Sequence, residues 1–505
     1  MLRFDVHHEF TNASEQRLYG AHLLGRDDLP VAGQLKWKSG GIRCEPAEPT
    51  ATALCLEVDA GAMGRLMLQT CLLKQRDEPY LLFLELARHR IKQYIAKSEE
   101  WQLFDPTLAG ESLKRWEHAR TLFVRSMNEV DFDKAEIYAK DSLIAGLDAN
   151  EQLALLHAEL LVKRRFGSKP STSTVIGVRV DPRSDIKVCG DTAKILDVLM
   201  VPTPWKLIEP TKGEFRFQEM DRWMAFAAQT KRPIVAGPLL RFDKNTLPPW
   251  MEPAKKDFSM CVDRAYTFME HVVQRYSGVV TMWNLGSGLH SNEHFEFTDE
   301  QMMDLTRRAS VLTRQSRPGA RTLIELTELF CDHVSSRPGA LTPWQYLERL
   351  SQEGIHFDAV GIQMCFGGAT GGTAMRDLMQ VSAVLDRFLA FDCKVMVSAF
   401  GVPSRQVDPK NGWWRNPWSE QVQSVWASRF VTIALSKPFI ETVVWERLID
   451  EGEDATGLLF ENGKVKSVFA KLIAIRKRLR KPLGGQQHIG AAADDETRAG
   501  APAVE

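Results

Sequence analysis

Eight short, strongly apolar runs alternate with amphipathic helical segments between about residues 174 and 482. The runs are TVIGVRV (174–180), DVLMVPTPW (197–205), RPIVAGPLL (232–240), GVVTMWNL (278–285), RTLIEL (321–326), DAVGIQM (358–364), KVMVSAF (394–400) and ETVVWERL (441–448). Near-continuous apolar runs are typical of parallel strands that are buried on both faces. Their number and spacing predict an eight-stranded (β/α) TIM barrel. The alternative is a doubly wound open sheet, but no G-x-G-x-x-G motif follows the first run.

The chain before the barrel divides into two further units. Residues 1–79 hold short β-type runs between Gly, Pro, Asn and Asp, which predicts a small β domain for which a β-sandwich is one arrangement. Residues 80–166 carry apolar positions three and four apart, which predicts three long helices that connect the β domain to the barrel. Residues 167–173 are predicted to be a linker, and residues 483–505 a disordered tail.

Composition narrows the classes of function. The 64 Lys and Arg residues balance the 65 Asp and Glu residues, so no excess positive charge points to a nucleic-acid partner. No run approaches the roughly 18 apolar residues of a membrane span, and the opening MLRFDVHHEF lacks the pattern of a signal peptide, so the expected location is cytoplasmic. The eight cysteines form no C-x-x-C pair, and His290, His294 and His333 lack metal-ligand spacing. No metal or cofactor is therefore predicted.

Several motifs of the barrel carry a family resemblance. They are WKLIEPTKGEFRF (205–217), LPPW (247–250), RYSGVVTMW (275–283), DAVGIQ (358–363), VVW (443–445) and GLLF (457–460). In this order the motifs resemble glycoside hydrolase family 10, the β-1,4-xylanase family, over roughly residues 174 to 482. The resemblance implies a retaining mechanism with two glutamates at the C-terminal mouth of the barrel.

The positions that the resemblance assigns to those two glutamates hold other residues. The run WNLGSG (283–288) places Gly288 where the acid/base glutamate belongs. The run SAFG (398–401) places Ala399 where the nucleophile belongs. Neither residue can transfer a proton or attack a sugar, so the resemblance implies a barrel that has lost the family's chemistry.

The sugar-binding positions have changed too. The resemblance puts Pro238 in place of a histidine and Phe242 in place of a tryptophan. Of the residues that would line the cleavage subsite, only Gln363 and Trp445 remain. We expect these two, together with Asn284 on the fourth strand, to contact a ligand.

Other residues near the strand ends are candidates for a displaced site. Glu325 and Glu446 lie at the ends of the fifth and eighth strands, where two carboxyl groups with separated pKa values would suit glycosidic hydrolysis. Trp413, Trp414 and Trp418 follow the seventh strand. Their aromatic faces suit stacking on a sugar, but packing between the last two βα units explains them equally well.

Two hypotheses of function follow. In the first, the barrel is a pseudoenzyme that binds a saccharide, or a scaffold whose tryptophan-rich loop binds a protein partner. In the second, it is an active O-glycosyl hydrolase of carbohydrate metabolism that uses Glu325 and Glu446. The N-terminal β domain has sparse aromatic residues, which favours a structural role over carbohydrate binding. The three predicted helices of residues 80–166 have no run of charges of a single sign.

Overall fold

The computed structural model of the chain describes residues 1–6, 18, 20–38, 40–167, 174–337, 339–368, 374–407 and 412–481. The predicted tail at 483–505 lies outside these ranges. All of the predicted linker except Gly167 also lies outside them. No helix in the described ranges combines the length and the apolar character that crossing a membrane requires.

Two small sheets occupy the N-terminal region. Their strands are β1 (Leu2–Asp5), β2 (His22–Leu24), β3 (Pro30–Val31), β4 (Gly33–Lys38), β5 (Gly41–Pro46), β6 (Ala53–Asp59), β7 (Gly64–Gln69) and β8 (Tyr80–Leu81). One sheet has the order β4-β5-β1-β8, and β7-β6-β2-β3 are adjacent in the other. Leu2 of the first sheet and Leu54 and Leu66 of the second are fully buried in one apolar core. Burial of these leucines holds the two sheets in place.

Three helices follow the sheets: α1 (Leu82–Glu100), α2 (Pro106–Asn128) and α3 (Phe132–Phe166). Side chains that accept backbone N–H groups fix where the last two begin: Asp105 accepts from Thr107 N at 2.8 Å, and Asp131 accepts from Asp133 N at 3.1 Å. Such caps satisfy N–H groups that have no partner inside the helix. The sequence prediction of three helices in this region agrees with the structure.

The remaining strands close into the predicted barrel. They are β9 (Val175–Arg179), β10 (Leu199–Val201), β11 (Ile234–Ala236), β12 (Met282–Ser287), β13 (Arg321–Leu326), β14 (Ala359–Cys365), β15 (Val395–Gly401) and β17 (Ile440–Trp445). All neighbours pair in parallel, and β17 returns to β9, so the open-sheet alternative is excluded.

Helices surround the barrel, and side chains fill it. The helices are α4 (Ile186–Ala193), α5 (Trp205–Ile208), α6 (Gln218–Gln229), α7 (Phe258–Tyr276), α8 (Asp299–Ser316), α9 (Pro343–Gln352), α10 (Leu378–Asp386), α11 (Glu420–Ser436) and α12 (Ser467–Leu479). A separate apolar cluster lies within the ring of strands. Its members are Met200, Val235, Met282, Leu323, Ala359, Met396 and Val444 of the strands, and Val198 just before β10. The barrel interior is therefore packed core, and a ligand site must lie at one of its ends.

One loop of the barrel completes an N-terminal sheet. The short strand β16 (Trp413–Trp414), between β15 and α11, pairs antiparallel with β7. Trp414 is buried, and its indole N–H donates to Glu151 of α3 at 2.7 Å. The tryptophan-rich loop after β15 thus supplies the edge strand of the second N-terminal sheet. Strand β16 thereby joins sheet, helices and barrel.

The pairing of β16 with β7 depends on Gly64, which gives a first prediction. Gly64 has φ +98°, and a Cβ atom there would lie 2.3 Å from the carbonyl oxygen of Trp413. We expect Gly64→Ala to lower the free energy of unfolding by about 2 kcal/mol, because it adds left-handed strain and a clash with backbone. Urea denaturation of the purified protein measures the change.

A second glycine provides the control for that substitution. Gly110 lies in α2, and a Cβ atom there would meet no atom within 4 Å. We expect Gly110→Ala to leave stability unchanged or to raise it by up to about 1 kcal/mol through helix propensity. Equal effects of the two substitutions would contradict the importance of the β7–β16 contact.

Candidate functional site

A polar cavity of about 590 Å³ lies at the carboxyl ends of the barrel strands. Gln363 and Cys365 of β14, Ala399 of β15 and Glu446 beyond β17 line it from the barrel side. The N-terminal sheet region contributes to the same cavity through Met67 of β7 and through Gly20. This mouth cavity is therefore enclosed by barrel and N-terminal sheet together.

Glu325, at the end of β13, lies next to this cavity and is 1% exposed. Its Oε1 accepts from Arg179 Nη2 at 2.6 Å, and its Oε2 accepts from Gln363 Nε2 at 2.8 Å. Burial alone would raise the pKa of this carboxyl, but the Arg179 charge and hydrogen bonds from Ser287 and Ser398 outweigh it, so the pKa of Glu325 is lowered. Glu325 is consequently an ionised, fully partnered carboxylate.

The pKa of Glu446 shifts in the opposite direction to that of Glu325. Burial raises the pKa of its carboxyl, although a hydrogen bond with Cys365 and the charge of Arg447 partly oppose the rise. Its backbone N–H donates to Phe400 O at 3.0 Å, and its Oε1 lies 2.3 Å from where a Cβ on Gly401 would be. Glycine at position 401 thus leaves the space that the Glu446 side chain occupies beside the cavity.

Further charged side chains around the cavity are held in pairs. Arg337 makes a bidentate pair with Glu328 at 2.8 and 3.0 Å, and Arg241 pairs with Asp243. The Arg241 charge and hydrogen bonds outweigh burial, so the pKa of Asp243 is lowered. Burial and the nearby Asp243 charge raise the pKa of Glu293, which also lines the cavity. The lining thus presents the ionised Asp243 together with three carboxyls whose pKa values burial raises: Glu293, Glu328 and Glu446.

The strand-four positions do not reach the cavity. Gly288 has φ +64°, and a Cβ atom there would lie 2.9 Å from Thr327 Oγ1. Its backbone N–H donates to Glu325 O at 3.0 Å. Asn284 is fully buried inside the structure, and its amide group has no hydrogen-bond partner among the described residues. Neither Gly288 nor Asn284 lies among the residues that surround the cavity.

The four tryptophans considered from the sequence all lie away from the cavity lining. Trp445 is fully buried, donates to Thr456 O at 2.6 Å and meets Phe400 edge to face. Trp418 is 4% exposed and donates to Gly412 O at 3.0 Å. Trp414 contacts α3 as described above, and Trp413 is half-buried beside it on β16. These contacts favour the packing interpretation over sugar stacking.

Sequence reasoning overlooked the arginines of this site. Arg179 is the only charged residue in the run VIGVR of β9, and it reaches across the barrel top to Glu325. A cation at the carboxyl end of a buried strand is costly without a partner, so its position alone signals an ion pair. Arg241, in the loop after β11, has a weaker signal because loops often carry charge.

The closed parallel barrel is a TIM barrel, and a polar cavity lies at the carboxyl ends of its strands. In TIM-barrel proteins in general, this face is where ligands bind. Comparison with protein families narrows the class. Residues 202–451 match the model of glycosyl hydrolase family 10, and the barrel is a domain of that family. No curated protein matches the chain.

Solved structures similar to this chain include xylanases of the same family. Xylanase 10B from Thermotoga petrophila RKU-1, in complex with xylobiose, is 14% identical with a TM-score of 0.47, over 63% of this chain and 97% of that one. Native xylanase 10B from Thermotoga maritima has the same identity of 14% and TM-score of 0.47, over 64% and 98%. A family 10 structure from Paenibacillus barcinonensis is 16% identical with a TM-score of 0.45, over 64% and 98%.

Proposed function

We propose that the barrel binds a saccharide in the mouth cavity and does not hydrolyse it by the retaining route of its family. The observation that carries this proposal is the composition of the cavity wall: Ala399 faces the cavity where a nucleophile would be needed, while Gln363, Glu446 and several charged pairs keep the wall polar. Polar groups in a concave site suit a hydroxyl-rich ligand. A volume of about 590 Å³ suits a short saccharide better than a long polymer segment.

The burial and the hydrogen bonds of Glu325 support the proposal that the barrel does not hydrolyse a saccharide. A nucleophilic carboxylate must approach the anomeric carbon of the sugar. Glu325 is 1% exposed, and Arg179 and Gln363 occupy both of its oxygens at 2.6 and 2.8 Å. Attack would require breaking this buried ion pair, which is energetically costly.

A second candidate function rests on the opposed pKa shifts of two carboxyls. The pKa of Glu446 is raised by burial, and the pKa of Glu325 is lowered by Arg179 against the effect of burial. An acid and an ionised partner are the two roles that glycosidic hydrolysis needs. This hydrolase would use Glu446 as general acid, with Glu325 as the charged partner.

Ligand binding and turnover are tested together on the full chain. We expect calorimetry to detect binding of a xylo- or gluco-oligosaccharide, and aryl β-xylosides to release no aryl alcohol above the level of Glu446→Gln. We expect Gln363→Ala to weaken binding about threefold to tenfold, because it removes the amide oxygen, a hydrogen-bond acceptor, from the cavity wall. Thermal denaturation checks that each variant is folded.

A glutamine outside the cavity provides the matched control. Gln229 is exposed at the end of α6, and Gln229→Ala is expected to bind the oligosaccharide like the unchanged protein. Turnover that disappears in Glu446→Gln would overturn the proposal in favour of the hydrolase. Failure to bind any oligosaccharide, together with a stoichiometric co-purifying protein, would favour the scaffold hypothesis instead.

A further inference from the structure

Carboxyl groups and cations do not balance on the wall of the mouth cavity. The lining contains four guanidinium groups, those of Arg179, Arg241, Arg337 and Arg447. It contains six carboxyl groups, those of Asp243, Glu293, Glu328, Asp332, Glu446 and Asp454. The wall therefore holds more carboxyl groups than its own arginines can neutralise.

Each arginine of the wall already has a carboxylate partner. Arg179 pairs with Glu325, which lies next to the cavity, with 2.6 Å between Nη2 and Oε1. The other three pair within the lining: Arg241 with Asp243, Arg337 with Glu328 at 2.8 Å, and Arg447 with Asp454 at 3.2 Å. The carboxylate of Asp332 accepts from Arg376 Nη2 at 2.6 Å and lies 3.5 Å from His22 Nε2. These pairs account for four of the six carboxyl groups.

Glu293 and Glu446 are the two carboxyl groups of the wall that form no ion pair within the described part of the chain. Glu446 follows β17 and is half-buried, and Glu293 is a more exposed residue of the loop after β12. Strands β12 and β17 lie on opposite sides of the closed ring. Burial raises the pKa of both carboxyls, and the nearby Asp243 charge adds to the rise at Glu293. A carboxylate that loses water without gaining a cation is costly, so both positions favour a ligand that brings positive charge.

We propose, on the basis of the function proposed above, that the saccharide of the mouth cavity is a short amino sugar whose ammonium groups pair with Glu446 and Glu293. An ammonium group donates a charge-assisted hydrogen bond to a carboxylate and supplies the missing positive charge. The hydroxyl group of a neutral sugar also donates a hydrogen bond, but it leaves the two carboxylates without a counter-charge. The amine therefore distinguishes the ligand of this cavity from a neutral saccharide of the same size.

The same arrangement of charges disfavours a sugar acid. Its carboxylate would add a further anion to the wall, where like charges repel. Arg241 and Arg337, which could attract it, are already held by Asp243 and Glu328. An acetylated amine is neutral and loses the attraction while it keeps the sugar ring. Charge therefore orders the ligands: the free amine binds best, the neutral and acetylated sugars bind less well, and the acid binds least.

Calorimetry on the full chain compares four disaccharides at about pH 6.5, where an ordinary amine is protonated. The four are the β-1,4-linked dimer of glucosamine, its N,N′-diacetyl form, cellobiose and cellobiouronic acid. We expect the glucosamine dimer to bind at least about tenfold more tightly than cellobiose or the acetylated dimer, because charge-assisted hydrogen bonds are stronger than neutral ones. Added salt should reduce this preference, since it screens the attraction between charges.

Substitution of the two carboxyls tests the assignment of residues. The double variant Glu293→Gln with Glu446→Gln should lower the ratio of the two affinities, glucosamine dimer to cellobiose, about tenfold, because it removes both charges and keeps the side-chain volume. Glu348, exposed on α9 and outside the lining, is the matched control, and Glu348→Gln should keep the ratio. Thermal denaturation checks that the variants are folded.

The ligand comparison in the unchanged protein decides the proposal even if the double variant fails to fold. Equal affinities for the glucosamine dimer and cellobiose would overturn the amino-sugar assignment and leave saccharide binding in place. A ratio that stays the same in a folded double variant would also overturn it. Binding of none of the four disaccharides would instead contradict the function proposed for the cavity.

Discussion

Replacing Glu151 by alanine is expected to lower the free energy of unfolding by about 3–5 kcal/mol, because several buried donors lose their acceptor at once. Glu151 of α3 is fully buried, and its Oε1 accepts from Trp414 Nε1 at 2.7 Å and from Leu378 N at 3.1 Å. Its Oε2 accepts from Arg415 Nη2 at 2.8 Å. Denaturation followed by tryptophan fluorescence measures the loss.

Two further variants separate charge from packing in that prediction. Glu151→Gln keeps an acceptor oxygen and most of the volume, so we expect it to be less destabilising than Glu151→Ala. Asp141, exposed on the same helix, is the matched control, and Asp141→Ala should change stability by less than about 0.5 kcal/mol. A loss in Glu151→Ala no larger than in Asp141→Ala would mean that this contact does not hold α3 on the barrel.

Replacing Arg179 by methionine is expected to cost a similar amount, about 3–5 kcal/mol, at neutral pH. The substitution leaves Glu325 buried at 1% exposure without the cation whose Nη2 lies 2.6 Å from its Oε1. The double variant Arg179→Met with Glu325→Gln removes the stranded charge, so we expect it to regain a large part of the lost stability. Urea denaturation of both variants beside the unchanged protein measures these differences.

The pH dependence of that loss has a definite sign. In the unchanged protein the pKa of Glu325 is lowered, so its contribution is present above the unfolded pKa of about 4.3 and is lost as pH falls through the folded pKa. Without Arg179, burial should raise the pKa of Glu325 above the unfolded value. The cost of Arg179→Met should therefore be greatest at neutral pH and shrink as the solution is acidified, and a cost that does not vary with pH would contradict the role given to Glu325.

The barrel could be predicted from the sequence because each of its parts is a local pattern. Buried parallel strands such as β13 and β15 read as unbroken apolar runs, and capping signals such as Thr298 with Gln301 mark where α8 begins. The order of strands then follows from the regular alternation of strand and helix. The three N-terminal helices follow from apolar periodicity in the same way.

The site was predicted less completely because it depends on contacts between distant residues. The sequence indicated that Glu325 and Glu446 lie at strand ends, but the partner of Glu325 is Arg179, which is 146 positions away. No feature of the neighbouring sequence distinguishes Trp414 from a tryptophan that stacks on a sugar. The indole N–H of Trp414 donates to Glu151, which is 263 positions away. Side-chain direction and long-range pairing, rather than residue type, decide these roles.

The short strand β16 has a consequence for how the chain is made. Trp414 pairs with Gly64, so 414 − 64 = 350 positions separate the two halves of one ladder. A ribosome adds about 5–20 residues per second, so β7 waits at least about 17 seconds for its edge partner after it has been synthesised. An unpaired strand edge is a site at which other chains add. During translation the N-terminal region is therefore expected to depend on chaperones until the seventh βα unit has emerged.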